Sequence, residues 1–364
     1  MDKHFSGLDG LRGLAAFMVV VHHTALKGTD IGGLSVFLFF ILSGFLITGI
    51  LVKLRLKIEA GRMGVWAATG SFWLQRALRI FPAYYVWLGL FLFIDHYWYH
   101  DETIVNLGWY LLYLQNFLIA FKTYAWEDFT HTWSLAVEQQ YYVFFAPLVL
   151  MLASRWHRRF FVGVIAVCIV AIISLQAAGY EMVTLYPTPS TGFVFMGCGA
   201  ILSVTDRNRL KPFANPLLVV AAIVLIVALA SYPVAERNHI AKVPYVLLVV
   251  GSAASLSVIM AATLASPTAF AVRVLETSPM RYLGRISYAL YIIHLPIALW
   301  VEDFGGLAEM SEATHIPADL IHFAIVSVVS VALASLSYVV VEKPFLDLKA
   351  RLKASTTARP EVAA

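Results

Sequence analysis

The sequence predicts an all-α polytopic membrane protein, a bundle of about ten transmembrane helices with both termini cytoplasmic. Three observations predict it. The 364 residues are 60% hydrophobic and only 13% charged, about half the charge of an average soluble domain, and mean hydropathy is +0.78. Ten apolar runs approach the ~20 residues that a spanning helix needs. The basic residues alternate between the connections on the two sides of those runs.

In order, the runs are 8–26, 33–54, 81–98, 133–152, 160–178, 190–205, 215–233, 243–264, 285–301 and 317–342. Polar residues or short length interrupt the first, fourth and sixth. With the N-terminus placed inside, all but four of the 26 lysines and arginines fall in inner segments; the four are Lys27, Lys122, Arg237 and Lys242. The outer loops collect acids instead: Asp101, Glu102, Glu127, Asp128, Glu302, Asp303, Glu309 and Glu312. A wrong span count would break this alternation. Residues 1–348 therefore read as one membrane domain and 349–364 as a polar, disordered cytoplasmic tail.

The net charge of +4 is spread over short loops rather than gathered on a face, which argues against a nucleic-acid partner. Cys168 and Cys198 lie inside apolar runs and read as small buried hydrophobes. The first run lacks a cleavage site after Ala25 and reads as a retained helix.

Polar residues at hydrocarbon depth are costly and mark sites or pathways. Four groups stand out. Arg12 and His23 are eleven positions apart, so on a helix they share a stripe ~16 Å long, with Arg12 at the inner end and His23 in the outer half. Spacing alone fits equally a snorkelling Arg and an interfacial His pair. Ser43 and Gly44 interrupt the second run, which suits a ligand or simply close helix packing. Arg76 and Arg79 share a face of a helix along the inner surface, suited to phosphate or to lipid headgroups. In His131-Thr-Trp133-Ser134-Leu-Ala-Val-Glu138-Gln-Gln-Tyr141-Tyr142, Glu138 falls about one turn below the outer surface. It is either a partner for His23 or an acid held at the boundary by Trp133 and Tyr141. His294 falls near mid-membrane, as a structural residue or part of a polar path. His22, His96, His100, His131 and His315 read as boundary or loop residues. No spacing suggests a metal site.

In this order and spacing, the four groups resemble the acyltransferase-3 family of bacterial membrane O-acyltransferases, from about Phe5 to Phe345. The resemblance rests on Arg12 followed by ten residues and His23; on Phe39-Phe-x-x-Ser43-Gly44; on Arg76-x-x-Arg79; and on Trp133-Ser-Leu-x-x-Glu138-x-x-Tyr141-Tyr142. Ile286-Ser-Tyr-Ala-Leu-Tyr-Ile-Ile-His294 is a looser match. The chain is similar to stand-alone members that lack an added soluble domain.

The resemblance implies an acyl-coenzyme A donor, usually acetyl, and a carbohydrate or other glycosylated acceptor at the far face of the bacterial cytoplasmic membrane. Arg12, Arg76 and Arg79 are then the cations for the donor's phosphates, and the pantetheine arm spans a distance comparable to the Arg12–His23 separation. His23 is the expected general base, or a nucleophile forming an acyl-imidazole. Glu138 is expected to orient it, and Ser43 to donate to the oxyanion. Ser134, Tyr141, Trp133, Gly44 and His294 are supporting residues. The rival reading is a secondary transporter or flippase for a lipid-linked sugar.

Overall fold

The computed structural model describes residues 7–99, 103–126, 129–231 and 244–357. His100, Asp101, Glu102, Glu127, Asp128, Arg237 and Lys242 lie outside the described residues. Each of the ten apolar runs coincides with a helix: α1 (Leu8–Thr24), α2 (Ile31–Glu59), α3 (Val65–Ile94), α4 (Trp133–Met151), α5 (His157–Ala177), α6 (Pro189–Ser203), α7 (Pro216–Ala230), α8 (Tyr245–Ala265), α9 (Ser278–Asp303) and α10 (Ala318–Ser337). Among the described residues there is no strand. Among the described residues, six helices are long and apolar enough to cross a membrane (α2, α3, α5, α8, α9 and α10 with their flanking turns), or seven if the bent pair Arg207–Ala214 and α7 is one span.

Helices α1 and α6 fall outside that set because they are short, at 17 and 15 residues, and α4 because Glu138, Gln139 and Gln140 interrupt its apolar residues. Helices α1 and α6 are largely enclosed by other helices, whereas α4 also exposes Val143, Phe144 and Leu148. By contrast, α7 buries only Ala222 and displays uninterrupted apolar residues, and α5 buries only His157, Phe161, Cys168 and Ile172.

Small residues set the two closest seams. On α2, a Cβ at Gly44 would overlap the Met196 carbonyl of α6, and one at Gly199 of α6 would overlap the Ile41 carbonyl of α2. On the other side, α1 packs principally on α9, and a Cβ at Gly284 would overlap the Asp9 carbonyl. Only glycine lets backbones approach this closely, where van der Waals packing and not water exclusion drives helix association. The N–H of Gly7 donates to the Glu276 carboxylate, fixing the start of α1 beside α9.

Two expectations need correction. Arg76 and Arg79 do not sit on a separate surface helix, because α3 runs unbroken from Val65 through Pro82 to Ile94. At 1.5 Å per residue it is ~45 Å long, so its first turns extend past a ~30 Å hydrocarbon layer, and the arginines occupy its middle. Nor do Trp133 and Tyr141 form an interfacial aromatic belt around Glu138, since both are buried inside the protein. Helix α4 starts already buried at Trp133, held by side chains of the preceding segment. Gln115 Nε2 donates to the Thr132 carbonyl at 2.9 Å, and Gln140 Nε2 to Asn116 Oδ1 at 2.8 Å.

After α10, a five-residue π-helical turn (Tyr338–Glu342) leads into α11 (Lys343–Thr357). Helix α11 thus continues into the segment expected to be a disordered tail.

Candidate active site

Arg12, Ser43, Arg76, Arg79, Ser134 and Glu138, drawn from α1, α2, α3 and α4, line one cavity, with Ser287, Tyr288 and Tyr291 of α9 opposite. Its space, mouth included, is about 680 Å³. Four sequence motifs far apart in the chain therefore meet in one place.

The inner part of this cavity is cationic. None of the three arginines is paired with a carboxylate among the described residues, and the buried Nε atoms of Arg12 and Arg76 have no hydrogen-bond partner. A buried donor without an acceptor costs ~1–3 kcal/mol. Two such donors, with the Arg79 guanidinium beside them, make this wall suited to an anion. The site carboxylate is already engaged. Ser43 Oγ donates to Glu138 Oε1 at 2.5 Å and Tyr142 Oη to Glu138 Oε2 at 3.0 Å, while Arg12 and Arg76 lie close enough to act on it electrostatically.

At the other end of the cavity, Tyr291 closes the wall. Its hydroxyl donates to the His131 carbonyl at 2.7 Å and shares a 2.8 Å hydrogen bond with Ser134 Oγ. The Tyr291 ring meets Phe39 edge-on at 6.0 Å. Beyond this pair stands a histidine cluster. His294 is fully buried (0% exposed); its ring lies 5.1 Å from that of His23 and 5.4 Å from that of His131.

The hydrogen-bond partners assign the neutral tautomers. His294 Nδ1 is 2.7 Å from the Tyr291 carbonyl. A carbonyl only accepts, so Nδ1 carries the hydrogen and Nε2 is left as an acceptor. His23 Nδ1 faces two acceptors, the Val19 carbonyl at 3.0 Å and His294 Nε2 at 3.2 Å. It must carry a hydrogen too, which places the lone pair of His23 on Nε2. His23 is half-buried, so this second nitrogen belongs to a partly accessible ring.

The structure thus brings together Arg12, Arg76, Arg79, Ser43, Ser134 and Glu138, and separately His23 and His294. It does not join Glu138 to His23: the carboxylate's hydrogen bonds go to Ser43 and Tyr142, and the imidazole's partner is His294. Gly44 serves the α2–α6 seam. Tyr141 stacks on Phe145 at 4.5 Å and meets Phe193 at 5.6 Å, away from the cavity. Trp133 packs against Tyr186 at 4.8 Å and Phe40 at 5.8 Å.

Sequence reasoning missed three residues. His131 is not a loop residue but a buried member of the histidine cluster, its Nε2–H donating to the Ile292 carbonyl at 3.0 Å; its position two residues before Trp133 was the available signal. Tyr291 was visible only as part of a loose motif. Glu342 is a buried carboxylate in the π-helical turn, acting electrostatically on Arg79 and Arg12. Its signal was a lone acid ending the last apolar run. Among the described residues, no three His, Cys, Asp or Glu side chains are grouped to hold a metal ion.

The chain is 27% identical over 319 residues to a peptidoglycan O-acetyltransferase of Listeria monocytogenes, covering 81% of this chain and 49% of that protein. It is 26% identical over 376 residues to a putative peptidoglycan O-acetyltransferase of Bacillus subtilis, covering 94% and 55%. It is 24% identical over 365 residues to a putative O-acetyltransferase of Staphylococcus aureus, covering 94% and 57%. The chain spans about half the length of the curated relatives it matches. No solved structure matches it. The profile of one family, described as an acyltransferase domain, matches residues 5–339, nearly the whole chain, and this chain belongs to that acyltransferase-3 family.

Proposed function

We propose that this chain is a membrane O-acyltransferase that moves an acetyl group from acetyl-coenzyme A, bound from the cytoplasmic side, to a hydroxyl of a cell-envelope glycan on the outer side. One observation carries this reading: three arginines without carboxylate partners line a single cavity whose opposite wall, Tyr291 with Ser134, backs onto the His294–His23 pair. Family membership and relatives named as O-acetyltransferases support the reaction class and a carbohydrate acceptor. In this reading the ten helices are ten crossings of the bacterial cytoplasmic membrane with both termini inside.

The arginines fit the donor's phosphates, since guanidinium forks match phosphate oxygens and the donor supplies the charge that these donors lack. His23 Nε2 takes the proton from the acceptor hydroxyl as its oxygen attacks the thioester carbonyl. The tetrahedral intermediate collapses, the carbon–sulfur bond breaks, and the imidazolium returns its proton to the leaving thiolate. A neutral imidazole with its other nitrogen fixed suits both transfers. Glu138 belongs with the arginines: it keeps the guanidinium groups from repelling one another apart and leaves a net positive site for the donor. Ser43, whose hydroxyl is committed to Glu138, holds that carboxylate.

The test uses membranes containing the full chain, labelled acetyl-coenzyme A and a cell-wall glycan. Acetyl transfer that His23→Ala abolishes is the expected result. Sugar uptake with no need for an acyl donor would overturn the reading in favour of a transporter.

A further inference from the structure

Six hydroxyl groups line the arginine cavity, those of Ser43, Ser134, Tyr142, Ser287, Tyr288 and Tyr291. Each has one hydrogen to donate, and five of them spend it on a carbonyl or on the Glu138 carboxylate. Ser43 and Tyr142 donate to Glu138, Ser287 to the Gly284 carbonyl at 2.9 Å, Tyr288 to the Ile80 carbonyl at 3.0 Å and Tyr291 to the His131 carbonyl at 2.7 Å. The sixth is then determined. Because the Tyr291 hydrogen is already committed, Ser134 is the donor in their shared 2.8 Å hydrogen bond and Tyr291 the acceptor.

Ser134 Oγ therefore keeps its lone pairs, and among the described residues no other partner takes them up. A hydroxyl in this state can still accept a hydrogen from a ligand. The cavity thus offers hydrogens at its arginine end and an open acceptor at Ser134.

Ser134 and Glu138 are four positions apart on α4, so they share a face and are separated by ~6 Å of helix rise. Glu138 stays with the arginines. Ser134 stands one turn farther along, beside Tyr291, whose ring is 5.7 Å from that of His294. Phe39, Phe40 and Leu135 line the same space with apolar surface. The complementary ligand carries an anion at one end, an apolar stem, and an N–H near its other end. Coenzyme A has this layout: phosphates at one end and, on its pantetheine arm, a cysteamine amide whose N–H lies two carbons before the sulfur.

We infer that Ser134 is a donor-positioning residue: its Oγ accepts the cysteamine N–H, which leaves the sulfur two carbons farther on, at Tyr291 and toward the histidine pair. The inference rests on the proposed coenzyme A donor, but binding can be measured without transfer. The probes are coenzyme A and its analogue in which the cysteamine amide N–H is replaced by an ester oxygen, each titrated calorimetrically into the purified full chain in lipid nanodiscs. The wild type should bind the ester analogue roughly three- to tenfold more weakly than coenzyme A, the usual worth of one neutral hydrogen bond. Ser134→Ala should bind the two equally, at the weaker level, while Ser134→Thr, which keeps the acceptor, should restore the preference and guard against a folding defect. A wild type that binds both probes alike, a preference that persists undiminished in Ser134→Ala, or no saturable binding of coenzyme A overturns the assignment. Acetyl transfer is scored separately: a chain that discriminates the two probes through Ser134 but never acetylates a glycan would refute the proposed reaction while leaving this contact standing.

Discussion

His23 Nδ1 lies 3.2 Å from His294 Nε2, and this contact, rather than a carboxylate, holds the candidate base. His294 is itself pinned by its Nδ1–H to the Tyr291 carbonyl. The backbone of α9, acting through one ring, thereby joins the Val19 carbonyl of α1 in setting which nitrogen of His23 is free. A neutral partner fixes the tautomer without stabilising the imidazolium as a carboxylate would. Replacing His23 with Ala should therefore lower kcat by roughly 10²–10⁴-fold, the usual range for a general base. His294→Ala should lower kcat with little change in the KM for acetyl-coenzyme A and should shift the pH–rate profile, because the His23 Nδ1 hydrogen keeps only the Val19 carbonyl and the ring loses its neighbour. His294→Gln, whose amide oxygen can accept the same hydrogen, should restore part of the rate. Equal profiles for His294→Ala and wild type would show that the pair has no such role.

Glu138 offers a direct discrimination between two roles. If the carboxylate balances the arginines, Glu138→Gln keeps an acceptor for Ser43 or Tyr142, removes one negative charge, and should leave kcat within about tenfold while lowering the KM for acetyl-coenzyme A. If it oriented His23, the same change would collapse kcat by several orders of magnitude, as when a triad acid is replaced. Steady-state kinetics on both substrates separates the outcomes.

Each arginine should contribute to donor binding. Charge-assisted hydrogen bonds are worth ~1.5–3 kcal/mol, so Arg12→Ala, Arg76→Ala and Arg79→Ala should each raise the acetyl-coenzyme A KM by roughly one to two decades. Lysine at Arg76 should not restore it fully, because an ammonium cannot reproduce the fork. Dephospho-coenzyme A and 4′-phosphopantetheine in a competition assay check which phosphate each residue meets.

The seam between α2 and α6 predicts a stability effect independent of chemistry. Gly44→Val places atoms where the Met196 carbonyl already sits, and overpacking of this kind costs about 1–3 kcal/mol or more. The variant should show a lowered Tm in detergent and reduced recovery from membranes, whereas Gly163→Val, at a position open to its surroundings, should behave as wild type.

The sequence made the helices legible because lipid enforces a simple grammar of long apolar runs. That grammar faltered at α1 and α6, which are short, and at α4, where Glu138, Gln139 and Gln140 interrupt the apolar run. The arginine cavity was equally legible: Arg12, Arg76, Arg79 and Ser43 carry spacing that survives folding. What the sequence could not convey was depth across different helices. Glu138 was placed level with His23 by assuming that α4 starts at the membrane surface, yet Gln115 and Asn116 draw the preceding segment inward and α4 begins inside the protein. His131 was hidden for the same reason, since a histidine before a helix resembles a loop residue until the loop is known to be buried. The His23–His294 contact spans 271 positions, and no periodicity within one helix reports it.

Backbone touches backbone where α1 meets α9, with Gly284 against the Asp9 carbonyl and Gly7 tied to Glu276. The two segments that carry His23 and His294 therefore travel as one piece. In the proposed reaction, any rearrangement that admitted a donor, passed its thioester beyond Tyr291 and expelled the spent thiol would then fall to the helices around this block, with the imidazoles kept in register.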